Sequence, residues 1–201
     1  MKLFYSTTSP YTRIVRIALM EKGVEPIQHL TDPWKDDPGL LAANPSARVP
    51  TLLLDDGRAL TESLLIIQWL EITYPGRSLL GTDPAAALSQ AGIAFGAIDA
   101  AAAIIIGRRM TDAGFDQSPV GLRRRRSIIE AVKRLETQLP SEHVETPTIA
   151  TIASVVLIDY LHFRFPRAEW LPSTANLDRL SERHRLRPSF ETTLPCDMPV
   201  A

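Results

Sequence analysis

The hydrophobic rhythm of the chain changes partway along. Up to about residue 75, short apolar runs of strand length alternate with helical patterns; beyond it only helical patterns remain. KLFYS (2–6) reads as a short strand, and TTSP leads from it into a helix that Pro10 suits at its first turn, where a missing N–H costs nothing. Tyr11, Ile14, Val15, Ala18 and Leu19 fall on one 3.6-residue face, and Gly23 supplies the C-terminal stop. VEPIQHL predicts a second strand and PGLLAAN a weak helix. VPTLLLDDGRALTES predicts a β-hairpin turned at Asp56-Gly57. ESLLIIQWLEITYP is apolar almost all round, as in a helix buried on more than one side.

Residues 1–75 therefore predict the order βαβαββα. YPGRSLLGTDP is a Pro/Gly-rich linker. Helical patterns follow over 84–110, 118–139, 148–163 and 175–186, with Ile128, Ile129, Val132, Leu135 and Leu139 forming a regular stripe in the second. An α/β part followed by an all-α part predicts two domains, residues 1–75 and 85–201, joined by the linker 76–84.

Composition narrows the classes of function. The 201 residues are 45% hydrophobic and 22% charged, ordinary for a soluble globular protein. With 22 basic and 23 acidic residues the net charge is -1, which recommends neither a nucleic-acid nor an acidic partner. The run RRRR at 123–126 points in all directions round a helix, so it predicts solvated surface or domain-interface pairing rather than one basic face. A single cysteine, Cys196, excludes an intrachain disulfide and a cysteine-based metal cluster, and fits a reducing compartment. MKLFYSTTS lacks the long apolar core of a signal peptide, and the most apolar run, Ile149–Ile158, is too short to cross a bilayer. The expectation is a cytoplasmic protein with no membrane partner.

Read locally, the polar residues at helix starts are caps. Ser9 before Pro10 is one, Thr61 or Ser63 another, and Glu62 is an acidic first-turn residue favoured by the helix dipole. Pro50, ahead of an apolar strand, marks a strand end. Thr148 and Thr151 stand as a capping box. His162 and Arg164 read as packing and surface residues.

Several segments nevertheless occur together in one order: TSPYTRIVRIALMEKG (8–23), NPSARVPTLLLDDG (44–57), LTESLLIIQWLE (60–71), TIATIASVVLIDYLHFRFP (148–166) and the tail RPSFETTLP. In this, over most of its length, the chain resembles the glutathione S-transferase family, in particular bacterial-type members with serine at the active-site position. The resemblance implies a thioredoxin-like N-terminal domain and an all-α C-terminal domain carrying an apolar co-substrate pocket, lined by the helices around 95–115, and much of a homodimer interface. In the family the proline of the ARVP motif is cis, so Val49 would offer its main chain to the cysteinyl part of glutathione like an added strand. Arg48 would hold the glycyl carboxylate, as basic residues at this position do in family members, or else is a solvated arginine. Glu62 would accept from the γ-glutamyl ammonium, while Ser63 and its helix N-terminus receive the carboxylate.

By the same resemblance Ser9 would donate a hydrogen bond to the glutathione thiolate, the nucleophile, rather than attack itself. No cysteine lies at 6–12, which argues against protein-thiol chemistry. Thr8 and Tyr5 remain rivals for the contact to sulfur. Trp34 and Lys35 stand where relatives contact the glycyl end. Asp99 matches an acid that family dimers send across the interface to the γ-glutamyl amine, or else is an interhelical polar residue. The implied activity is conjugation of glutathione to a small apolar electrophile, in the manner of a detoxification enzyme and without a metal. The alternatives are glutathione-dependent isomerisation or dehalogenation, and a non-catalytic binding module.

Overall fold

A computed structural model describes residues 1–140 and 146–198, which divide into two compact units. The first comprises residues 1–79 together with the C-terminal segment from Arg187, and the second residues 80–186.

In the first unit β1 (Lys2–Tyr5), α1 (Pro10–Glu21), β2 (Ile27–Leu30), α2 (Pro38–Ala43), β3 (Thr51–Leu53), β4 (Ala59–Thr61) and α3 (Ser63–Thr73) follow the expected thioredoxin-like order. The sheet runs β2-β1-β3-β4, with β1 and β2 parallel and the other two pairings antiparallel. A parallel pair needs a crossover, and α1 supplies it. The hairpin closes where Asp56-Gly57 predicts. The Leu54 N–H donates to the Arg58 carbonyl at 2.8 Å, and Gly57 takes φ +87°, a conformation glycine adopts without a side-chain clash.

Helix α1 is buried more completely than its stripe predicts. Ile17, Thr12 and Arg13 are enclosed along with Ile14, Val15, Ala18 and Leu19. The extra cover comes from the chain's end, where α8 (Pro188–Glu191) packs on α1. Arg13 donates to the Phe190 carbonyl and Thr193 Oγ1, both at 3.4 Å. At the other end of α1, Glu21 accepts from Arg187 Nη2 at 2.6 Å and Ser189 Oγ at 2.5 Å. Burial alone would push the Glu21 carboxyl up, but those two bonds and the charges of Arg187 and Arg77 hold it below its usual value. The expected domain 85–201 thus differs from the observed second unit: the tail returns to the first unit because Glu21 and Arg13 bind it there. Next to Glu21, Lys22 makes a 2.6 Å ion pair with Glu71 and ties α1 to α3.

The second unit holds α4 (Pro84–Met110), a 3-10 turn (Ala113–Gln117), α5 (Pro119–Thr137), α6 (Ile149–Arg164) and α7 (Ala175–His184). Every residue of α6 from Ile149 to Leu161 is buried, which makes it the unit's core. Asp159 within it is held by Ser181 Oγ at 2.6 Å and Arg185 Nη2 at 3.0 Å. Thr148 caps α6, accepting from the Thr151 N–H at 3.4 Å. Of the stripe predicted over 118–139, Ile128, Val132 and Leu135 are fully buried and Ile129 is half-buried on α5, while Leu139 lies beyond the helix, which ends at Thr137 and is capped by Gln138. Helix α4, unlike the shorter run Ile149–Ile158, is long and apolar enough to cross a membrane by length and composition, and 56% of its most apolar window is buried within the structure. Its alanines Ala87, Ala91, Ala94, Ala97, Ala100 and Ala101 let α5 and α6 approach closely.

Candidate functional site

Strand register gathers most of the expected site residues at one end of the sheet. Phe4 pairs with Thr51, and Thr51 with Thr61, both in antiparallel ladders. The residues just after β1, just before β3 and just after β4 therefore emerge together: Ser6–Ser9, Arg48–Pro50 and Glu62–Ser63. Because β2 runs parallel to β1, with Leu30 opposite Tyr5, Trp34 and Lys35 leave the sheet at that same end.

Ser9 is the N-cap of α1. Its backbone is extended (φ -84°, ψ 119°), and its Oγ accepts from the Thr12 N–H at 3.2 Å. Among the described residues nothing accepts from the Ser9 hydroxyl, so the proton on Oγ is free to serve a ligand while the lone pair caps the helix. Its rivals are engaged elsewhere. Thr8 Oγ1 shares a 3.1 Å hydrogen bond with Ser6 Oγ, and the Tyr5 ring lies under the Arg16 guanidinium at 4.7 Å.

The Val49–Pro50 peptide is cis, and Pro50 is buried. No hydrogen bond among the described residues uses the Val49 N–H or C=O, which is the state a strand-like ligand needs. Sequence patterns do not reveal what holds this turn. Asn44, 4% exposed, donates from Nδ2 to the Arg48 carbonyl at 3.1 Å and to Thr51 Oγ1 at 3.0 Å. Thr51 Oγ1 donates in turn to that same carbonyl at 2.8 Å. The one cue is that Asn and Thr are short polar residues flanking ARVP, suited to side-chain bonds with a local main chain.

Glu62 takes φ +63°, a left-handed conformation uncommon for any residue with a side chain, and so turns the chain sharply from β4 into α3. It occupies the N-cap position of α3 yet makes no capping bond. The leading N–H groups of α3 have no side-chain acceptor among the described residues, and Ser63 lies buried beside them. The Glu62 carboxylate is exposed and pairs with Arg48 at 3.5 Å. Both partners are largely solvated, so the pair is weak and easily exchanged for another ion. Acid, hydroxyl and helix dipole together present complementary partners for an ammonium and a carboxylate.

Trp34 and Lys35 are exposed in a turn held by Asp32, whose Oδ1 accepts from the Trp34 N–H at 3.0 Å. The neighbouring Asp37 caps α2 through the Gly39 and Leu40 N–H groups. Its bond with His29, and then those with Thr31 and the two N–H groups, overcome burial and hold its carboxyl down at about 2. Asp99 belongs to the second unit, on the exposed side of α4.

The C-terminal segment also reaches this end of the sheet, which the sequence did not indicate. Thr7 Oγ1 donates to the Cys196 carbonyl at 2.8 Å, and Ser6 Oγ to Met198 Sδ at 3.4 Å. The loop that carries Ser9 is thereby latched from outside.

Residues 8–73 match the model of the glutathione S-transferase N-terminal domain. The chain is 32% identical over 202 residues to the uncharacterized GST-like protein YibF of Escherichia coli K12, covering 97% of this chain and 98% of that protein. A maleylacetoacetate isomerase of Pseudomonas aeruginosa is 41% identical over 101 residues, 47% of either chain. Among solved structures, a glutathione S-transferase from Methylobacterium radiotolerans in complex with glutathione sulfonate superposes with a TM-score of 0.88 at 33% identity, covering 100% of this chain and 97% of that one. Similarity that runs the length of the chain, in sequence and in fold alike, reflects common descent: the chain belongs to the glutathione S-transferase family.

Proposed function

We propose that the protein binds glutathione at the sheet end carrying Ser9, Val49 and Glu62, and uses its thiolate as a nucleophile toward an apolar electrophile. The observation that carries this reading is the Ser9 hydroxyl, whose lone pair is used in capping and whose proton meets no acceptor among the described residues. A thiolate placed before α1 would accept that proton and gain from the helix dipole, lowering the thiol pKa from about 8.5 toward neutrality. The Val49 main chain would pair with the cysteinyl residue, and Arg48 would hold the glycyl carboxylate. Glu62 would take the ammonium, and Ser63 with the α3 N-terminus the γ-glutamyl carboxylate. The relative solved with glutathione sulfonate supports a tripeptide ligand of this kind. In the reaction the thiolate sulfur forms a bond to the electrophilic carbon, and the leaving group departs with that carbon's bonding pair. The protein contributes orientation and thiolate stabilisation.

The similarity to a maleylacetoacetate isomerase over 101 residues favours a second reading with the same site. There the thiolate adds to a conjugated double bond, the resulting single bond rotates, and elimination restores both the alkene and glutathione. One set of assays separates the two. Calorimetric titration establishes whether glutathione binds. Turnover is then compared between a chloro-dinitrobenzene electrophile and maleylacetoacetate. Glutathione binding with conjugation supports the first reading, and isomerisation without conjugation supports the second. Failure to bind glutathione rejects both.

A further inference from the structure

The second unit contains a cleft lined by none of the residues assigned above to glutathione. It measures about 430 Å³, within the usual range of small-molecule sites, and opens between the C-terminal ends of α4 and α6 and the start of α5. Part of its wall ties the fold together. Asp116 of the 3-10 turn accepts from Arg108 Nε at 2.7 Å and from Arg125 Nη2 at 2.8 Å. The Arg108 hydrogen bond leads in holding the Asp116 carboxyl down at about 2, so it is ionised at neutral pH. The two guanidinium groups also lie on aromatic rings, Arg108 at 4.8 Å from Phe165 and Arg125 at 5.3 Å from Trp170.

That tie leaves much of the cleft unexplained. Arg164 and Arg167 line it as well, against a single further carboxylate, Glu169, so two positive charges stand in excess. Among the described residues, the Nε–H groups of Arg125 and Arg164 are buried without an acceptor. Trp170 and Phe165 meet edge to face at 5.5 Å and add an apolar wall. A planar anion answers the excess charge and the aromatic wall. A carboxylate fits the guanidinium fork, and an attached ring has an aromatic partner in Trp170.

We propose that this cleft is a binding site for a small aromatic carboxylate. The inference rests on residues of the second unit alone and stands or falls separately from the reading of the first.

The test titrates the intact protein with naphthoate, and separately with inorganic phosphate and with cyclohexane carboxylate, by calorimetry and tryptophan fluorescence. Naphthoate is expected to bind one per chain, equally well with glutathione saturating, and to quench fluorescence that Trp170→Phe removes. Arg167→Gln lies at the exposed mouth and outside the Asp116 network, so folding is expected to survive it. It should weaken naphthoate roughly tenfold while glutathione binding is unchanged. Arg164→Gln should weaken it at least as much. Absence of naphthoate binding, or full affinity in the Arg164→Gln, Arg167→Gln double variant, overturns the site. Competition by glutathione overturns its independence. Phosphate or cyclohexane carboxylate binding as tightly as naphthoate overturns the ligand class.

Discussion

Helices α1 and α3 both begin at the same end of the first unit's sheet, yet their starts are built differently. At α1 the N-cap is ordinary in geometry: Ser9 is extended, and its oxygen satisfies the Thr12 N–H. At α3 the N-cap residue is Glu62, left-handed at φ +63° and with no capping bond. A serine, threonine or aspartate in extended conformation would have stabilised that start by about 1 kcal/mol. Between them in sequence, α2 shows what a start built only for stability looks like, with Asp37 accepting from two helix N–H groups and two side chains besides. On the proposed reading, capping and binding share one side chain at Ser9. At Glu62 they conflict: the left-handed backbone and the missing cap are the form a start takes when a ligand carboxylate is to meet its N–H groups.

The comparison can be broken most sharply at Ser9. Ser9→Ala removes a cap and, on this account, the hydrogen bond to the thiolate. It should lower turnover roughly 10–100-fold, from the loss of about 1.5–3 kcal/mol of a charge-assisted bond, and reduce stability by about 1 kcal/mol. A variant that unfolds earlier but turns over normally per folded molecule would reduce Ser9 to a cap. Next in size is Glu62→Ala, which should weaken glutathione binding about tenfold by calorimetry, the size expected for one charge-assisted hydrogen bond, while stability barely changes. Glu62→Gly sharpens the point. Glycine takes the left-handed backbone without strain, so it should gain about 1 kcal/mol in denaturant unfolding yet bind glutathione as poorly as the alanine variant. Loss of stability in Glu62→Gly would mean that the strain assigned here is absent.

The α2 start supplies a control through pH. Asp37 titrates at about 2 in the folded chain, below the ordinary 3.8, so its contribution to stability is complete above about pH 4. It is lost as pH falls from there through about 2. Acid unfolding of Asp37→Asn should show a shallower dependence on pH over that window, with glutathione binding at neutral pH unaffected. The smallest effect belongs to Arg48. Its ion pair with Glu62 is exposed, so Arg48→Ala should change stability by less than about 1 kcal/mol, and glutathione affinity should lose part of its salt dependence.

What the sequence disclosed follows from how local each feature is. Periodicity located β1 to α3 and α4 to α7, because burial patterns repeat within each element. The hairpin at Asp56-Gly57 was legible from a two-residue signal. The motifs around Ser9, Val49 and Glu62 were legible as a set, although each alone reads as a cap or a strand end. The features that escaped depend on contacts between distant positions. Glu21 and Arg187 are 166 residues apart, so no periodicity reports that the tail rejoins the first unit. Asn44 looks like a helix C-terminal residue until the Arg48 carbonyl and Thr51 are seen bound to it. The run RRRR gave no sign that Arg125 alone turns inward to Asp116 while its neighbours stay in solvent. The left-handed backbone of Glu62 has no sequence signature, since glycine is what such a position usually selects.

The central claim is that one hydroxyl both caps α1 and stabilises a thiolate. It is tested most directly by titrating the thiol of bound glutathione through its ultraviolet thiolate absorbance, in the native protein and in Ser9→Ala. The account predicts a bound thiol well below the free value of about 8.5 in the native protein, returning toward that value in the variant. An equally depressed thiol in both proteins would contradict it.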